Sequence, residues 1–175
     1  MTIPLATPVH PPEGPAVRTR FDKLGIPFEV RLFLPADRTA LLAFYNDFEP
    51  KRAAQGLPPS GPERVKRWLE TVLASGIHLV AHRNEELIGH ALLMPTQDEG
   101  VVEYAVFLRE DERGHGVGTE LTLAAAEVAR DAGLLRLWLS VGLQNRAAVR
   151  SYEKAGFHFL PGTIYSPEAE MEMIL

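Results

Sequence analysis

"DERGHGVGTE", residues 111–120, decides how this chain is read. Gly114, Gly116 and Gly118 stand at every second position, Arg113 leads them, and a good helix sequence follows at once. Glycine belongs where the backbone takes φ > 0 or where something must come close to it. A helix N-terminus carries unpaired N–H groups and the positive end of the helix dipole. Glycines at that point suit an anion cupped by successive backbone amides. Arg113 adds a fixed positive charge with several donors. Spacing separates this loop from other phosphate sites. A P-loop needs GxxxxGK[ST], and no lysine follows these glycines. A dinucleotide fingerprint needs GxGxxG after an early strand, whereas GxGxG stands here after three or four strands. A turn that only joins strand to helix needs one glycine, not three behind an arginine.

Outward from the loop, the hydrophobic pattern alternates between periods. Before it, "VVEYAVFL" (101–108) reads as a strand, and "IHLVAHR" (77–83) and "ELIGHALLMP" (86–95) read as a hairpin turning at "NEE". Upstream, "FEVRLFL" (28–34) is a strand, and "PADRTALLAFYNDF" (35–48) has Leu41, Phe44, Tyr45 and Phe48 at helical spacing. Ser60 and Glu63 form a capping-box pattern for a second helix with Val65, Trp68, Leu69, Val72 and Leu73 on one stripe and Gly76 as its stop. After the loop, 119–133 reads as a helix with Leu121, Ala125, Val128 and Ala132 on one face. "LLRLWLSV" (134–141) is a strand, 145–156 a short helix, and "FHFL" and "EMEMIL" close the chain as strands. Trp138 is expected on the opposite side of its strand from Leu137 and Leu139, and the acidic run 109–112 is expected to point to solvent.

Composition bounds the rest. The chain has 175 residues, a formal charge of −5 and no cysteine. Such a length suits one domain with a real core, here 26–175, behind a proline-rich arm at 1–25. Scattered Lys and Arg in an acidic chain argue against nucleic acid or an anionic membrane as partner. Without cysteine there is no disulfide, no thiolate metal site and no cysteine nucleophile. No apolar run reaches membrane-span length and the N-terminus lacks a signal peptide's pattern, so the expected location is cytoplasmic by default.

Arg113-Gly114-His115-Gly116-Val117-Gly118 fits R/Q-x-x-G-x-G/A, and "VGLQNRAAVRSYEKAGF" lies downstream. The two motifs in this order resemble the GNAT superfamily of acyl-CoA N-acetyltransferases, most strongly over about 85–160. The branch with protein-lysine acetyltransferase domains is nearest in character. The resemblance implies an α/β (α+β) fold: a mixed, mostly antiparallel sheet of about six or seven strands, splayed between the fourth and fifth, flanked by about four helices. It implies acetyl-CoA as co-substrate and no metal. It places the pyrophosphate at Arg113, Gly114, His115, Gly116, Val117, Gly118 and Thr119. The pantetheine arm would pair with Val106, Phe107 and Leu108, with the Val106 N–H polarising the thioester carbonyl. Asn145 matches a CoA-contacting asparagine, or else caps the helix that follows. Dimers are common in the family.

Acyl transfer to an amine needs a base for the ammonium, a donor for the oxyanion and a proton for the thiolate. Glu103 is the base candidate, because a charge inside so apolar a strand asks for a reason. Alternation sets it with Ala105 and Phe107, opposite Val102, Tyr104 and Val106. The competing reading is a solvated glutamate on a half-exposed strand. His90, one strand over, is the reserve. Tyr152 is the acid candidate, matching the tyrosine that family members place beside the CoA sulfur, and it also shares a packing face with Ala148 and Ala155. The expected activity is transfer of an acetyl group to a primary amine, on a small molecule or on a protein lysine or N-terminus. The alternative is a non-catalytic acyl-CoA sensor or interaction module. The first two helices, the loop 49–61 and the turn near 160–168 are expected to select the acceptor.

Overall fold

Side chains of the 101–108 strand bury on both faces, so the sheet needs a helical layer on each side. Val102 and Tyr104 enter one core, while Ala105 and Phe107 enter the other. The computed structural model describes residues 9–12, 17–51 and 57–175. Its strands are β1 (Arg18–Phe21), β2 (Pro27–Leu32), β3 (Ile77–Arg83), β4 (Glu86–Pro95), β5 (Val101–Leu108), β6 (Arg136–Gly142), β7 (His158–Phe159) and β8 (Glu168–Ile174). Its helices are α1 (Arg38–Asp47), α2 (Pro62–Leu73), α3 (Val117–Asp131) and α4 (Arg146–Ala155). One sheet runs β1-β2-β3-β4-β5-β6-β8-β7. Every neighbouring pair is antiparallel except β5 and β6, which are parallel and linked through α3. Three residue pairs join them: Val101 with Arg136, Val102 with Leu137, and Glu103 with Trp138. Beyond Glu103 the two strands part. This is the splay expected between the fourth and fifth strands, displaced by one in number because β1 precedes them.

The α3 face holds the larger core, from Phe28 and Val30 on β2 to Met171 and Met173 on β8. Ala124, Ala125, Ala126 and Ala129 of α3 are fully buried, and such short side chains let the helix lie close to β4 and β5. The opposite face is covered by α1 and α2 only over β3, β4 and β5, through Leu41, Phe44, Tyr45, Val65 and Leu69 against Val80, Leu92 and Phe107. On that side β6 and β8 present Arg136, Trp138, Ser140, Glu168, Glu170 and Glu172, none of them buried.

A polar chain crosses the smaller core. The Tyr45 hydroxyl meets His90 Nδ1 at 2.6 Å, His90 Nε2 meets His78 Nδ1 at 3.2 Å, and His78 Nε2 meets the Ser75 carbonyl at 2.8 Å. A carbonyl only accepts, so His78 Nε2 carries a proton and, in the neutral ring, Nδ1 accepts. His90 then donates from Nε2 and accepts at Nδ1 from Tyr45. Burial holds both imidazoles below the ordinary histidine value, His90 well below it, with His78 adding to the effect on His90. The neutral tautomers thus satisfy every link.

Several expectations change. Part of the proline-rich lead-in is strand β1, whose Arg18 and Arg20 pair with Glu127 and Asp131 on α3. Residues 1–8 and 13–16 of that arm lie outside the described residues. The Ser60–Glu63 capping box does not form: Gly61 is the N-cap at φ 96°, with no side-chain cap, and Pro62 opens α2. Trp138 is half-buried and donates from Nε1 to Glu170 at 3.0 Å. Glu112 of the acidic run turns inward and is buried, because Arg83 waits there.

Candidate active site

Carbonyls of the glycine loop are taken up by donors around it. β5 ends at Leu108, a 3-10 turn spans Glu110–Glu112, and α3 begins at Val117. Gly114 has φ 79° and Gly116, the N-cap, has φ 91°. Lys23, at the β1–β2 turn, donates its N–H to the His115 carbonyl at 2.8 Å and its Nζ to the Gly114 carbonyl at 3.1 Å. Its stem lies over Gly116, where a Cβ would come within 2.9 Å of Lys23 Cγ. The Gly116 carbonyl accepts the Glu120 N–H at 3.2 Å. By contrast, the N–H groups from Gly114 through Thr119 have no acceptor among the described residues. A run of open amides at the N-terminus of a fifteen-residue helix has the donors and the dipole to hold an anion.

A buried ionic knot holds the loop's approach. Arg83 donates to Glu112 from Nε and Nη2 at 3.1 and 2.9 Å and to Asp22 from Nη2 at 3.0 Å. Asp22 also accepts the Leu24 and Ile26 N–H groups at 2.9 Å. The Ile26 amide is the main reason its carboxyl titrates below the usual range, with Leu24 and Arg83 assisting against burial. Sequence reasoning singled out none of Asp22, Lys23 and Arg83, and it took Glu112 only as part of a solvent-facing acidic run. Their partners lie far along the chain, 91 residues apart for Lys23 and Gly114, so no local period exposes them.

The open edge of β5 can be read from its pairing. The Arg109 N–H bonds the Ile88 carbonyl on β4 at 2.9 Å. Antiparallel pairs alternate, so Phe107 with His90 and Ala105 with Leu92 are bonded pairs as well. The N–H and C=O of Val106 and Tyr104 therefore face the gap to β6. Of the three residues expected to meet the pantetheine arm, Phe107 spends its backbone on β4. The Leu108 carbonyl is taken by Arg113, through Nε at 3.2 Å and Nη2 at 3.1 Å. Val106 is left open.

Glu103 is exposed on the α1 and α2 face, between Met94 and Trp138, without an ion pair or hydrogen bond among the described residues. Tyr152 is buried on the other face, its ring 6.2 Å from Tyr104 and 5.6 Å from Phe157. Burial pushes its hydroxyl up to about 12, so it keeps its proton at neutral pH. That hydroxyl has no hydrogen bond to a described residue. The two candidates thus lie on opposite faces of the sheet, with the parted strands between them. Asn145 caps α4, its Oδ1 accepting the Ala148 N–H at 3.2 Å. Its amide donors stay open to a ligand. Gly118 packs against Leu108 and Ser151, and Thr119 Oγ1 meets Ser151 Oγ at 2.9 Å, joining α3 to α4. His90 is sealed in the core chain and does not reach the cleft. Among the described residues no three His, Cys, Asp or Glu gather as a metal site, and no helix is long and apolar enough to cross a membrane.

The chain belongs to the acetyltransferase (GNAT) family, whose model matches residues 40–157. It is 34% identical over 164 residues to a mycothiol acetyltransferase of Thermobispora bispora, covering 90% of this chain and 52% of that one. It therefore spans about half of that relative's length. The GNAT domain of S. lividans PAT superposes with a TM-score of 0.76 at 21% identity, covering 93% of this chain and 100% of that one. AAC(6')-Ib, solved with paromomycin and acetyl-CoA, superposes at 0.63 with 27% identity, covering 84% and 93%. The mixed sheet with four helices is the GNAT fold.

Proposed function

We propose that this chain transfers the acetyl group of acetyl-CoA to a primary amine by direct attack in a ternary complex. The observation that carries the reading is the row of open amides from Gly114 to Thr119, set beside the gap where β5 leaves β6. Those amides hold the pyrophosphate, and Asn145 contacts the same co-substrate. The thioester supplies an activated acetyl carbon. The Val106 N–H polarises its oxygen from the open strand edge. Glu103, from the other face, takes the ammonium proton, so the nitrogen lone pair can form the new C–N bond. Tyr152 gives its proton to the departing sulfur as the C–S bond breaks, and the second proton that the nitrogen sheds on becoming an amide restores the phenol through solvent. No cysteine is available to carry the acyl group.

The acceptor is a cationic amine. The open face around Glu103 carries Glu168, Glu170 and Glu172 beside Trp138, with Arg136 as the counter-charge in that group. Acetyl-CoA at about 100 times its dissociation constant should stabilise the chain by about 2.7 kcal/mol. That corresponds to roughly 5 to 11 °C in melting temperature, and NAD should give none of it. Glu103→Gln should keep this shift and lose about 10²- to 10⁴-fold in turnover with any amine the wild type accepts. Binding without transfer across a broad amine panel would leave a sensor rather than an enzyme. Undiminished turnover in Glu103→Gln would remove that residue from the mechanism.

A further inference from the structure

The Arg113 guanidinium is already engaged. Besides the Leu108 carbonyl, its Nη2 donates to the Glu49 carbonyl at 2.5 Å, and Cζ stands 5.1 Å from the centre of the Phe48 ring. Three of the five guanidinium N–H groups are spent on these two carbonyls, leaving Nη1. Phe48 caps the C-terminal end of α1 and Glu49 follows it. Phe48 in turn meets Phe107 of β5 edge-on at 5.4 Å and Tyr45 of α1 at 6.2 Å. One side chain therefore spans the end of α1, which walls the amine side of the sheet, and the end of β5, where the cofactor loop starts. Letting go to reach a phosphate would strand the part-buried Leu108 carbonyl and undo the stacking on Phe48. The amides of Gly114–Thr119 need no such rearrangement.

We infer that Arg113 is a positioning residue that latches the end of α1 to the end of β5, and that the pyrophosphate is held without its guanidinium. Lysine cannot replace it, because a single ammonium lacks the planar fork that reaches both carbonyls. A guanidinium that bound phosphate would instead lose its affinity with methionine and keep only the charge part of it with lysine.

The inference rests on the proposed acetyl-CoA site for one arm of its test and on the fold for the other. Full-length wild type, Arg113→Lys and Arg113→Met are titrated with acetyl-CoA by calorimetry. Amide hydrogen exchange is followed in parallel over Phe44–Lys51. The expected result is a dissociation constant within about threefold of wild type in both variants, with exchange over Phe44–Lys51 faster by about tenfold in both. If spermidine, kanamycin or L-lysine is turned over, KM for that amine rises while KM for acetyl-CoA holds. An affinity lost by tenfold or more in Arg113→Met overturns the inference in favour of a phosphate ligand, whether or not Arg113→Lys recovers part of it. Unchanged exchange over Phe44–Lys51 overturns it as well. Failure of the wild type to bind acetyl-CoA would instead sink the proposed function, and the exchange arm would still judge the latch.

Discussion

His90 shows how one residue can look catalytic in a sequence and be structural in the fold. It lies on the strand beside Glu103's and faces the same side, yet Tyr45 packs over it, with Trp68 against Tyr45 in turn. Its two ring nitrogens are both used, so His90→Leu leaves the Tyr45 hydroxyl and His78 Nδ1 buried without partners. At about 1–3 kcal/mol for each of these two groups, the variant should lose about 2–6 kcal/mol in urea unfolding. The pH profile should change with it. The folded chain keeps His78 and His90 neutral, whereas the unfolded chain protonates them from about 6.5 downward. The unfolded state then binds more protons, so stability falls as pH drops below about 6.5. The slope approaches about 1.4 kcal/mol per unit for each histidine until its folded value is reached. His90→Leu should show a shallower fall than wild type over pH 6.5 to 5. An equal fall in both would mean the imidazoles do not govern acid stability. Glu103 could be singled out because a carboxylate interrupts an apolar strand, and the structure leaves it exposed there. The direction of Arg113 was not, since the carbonyls it grips have no signature in side-chain identity.

Elements were legible wherever one face of the chain is uniformly apolar. β3, β4, β5 and α3 carry their period openly, and the break at Gly114–Gly118 between β5 and α3 marks the loop. β1 is different: four residues, RTRF, in which the inward members are arginines. It is strand because Glu127 and Asp131, more than a hundred residues later, neutralise those charges. The start of α2 was misread for a local reason, as Pro62 at the first helical position puts the cap at Gly61 instead of Ser60. The glycine loop offers a paired test of how an element end is held. Gly114→Ala and Gly116→Ala both force a side chain to positive φ, at about 1–2 kcal/mol. At Gly114 a Cβ meets nothing within 4 Å, whereas at Gly116 it must displace the Lys23 stem. Gly116→Ala should therefore lower the urea midpoint more. Equal losses would deny Lys23 a part in holding the loop.

Across the whole molecule, the proposed site draws on the two faces of the sheet at its central gap rather than on one contiguous motif. The open amides, the Val106 edge and Tyr152 share the α3 side, while Glu103 and the row of glutamates share the other. The glycine motif and the downstream helix made the first group visible. The order of strands, which alone brings β8 beside β6, hid the second. The N-terminal hairpin is tied to the glycine loop through Lys23. The Lys23–Leu24 bond is a peptide that trypsin recognises, and Leu24 is 72% exposed. Yet the lysine that trypsin must grasp is pinned along the loop by Nζ and stem. Cutting there thus requires the clasp to open first. Acetyl-CoA should slow this single cut and Gly116→Ala should hasten it, with the rest of the fold intact in both cases. Digestion time courses read by mass spectrometry would then report occupancy of the proposed site from a bond outside the glycine loop.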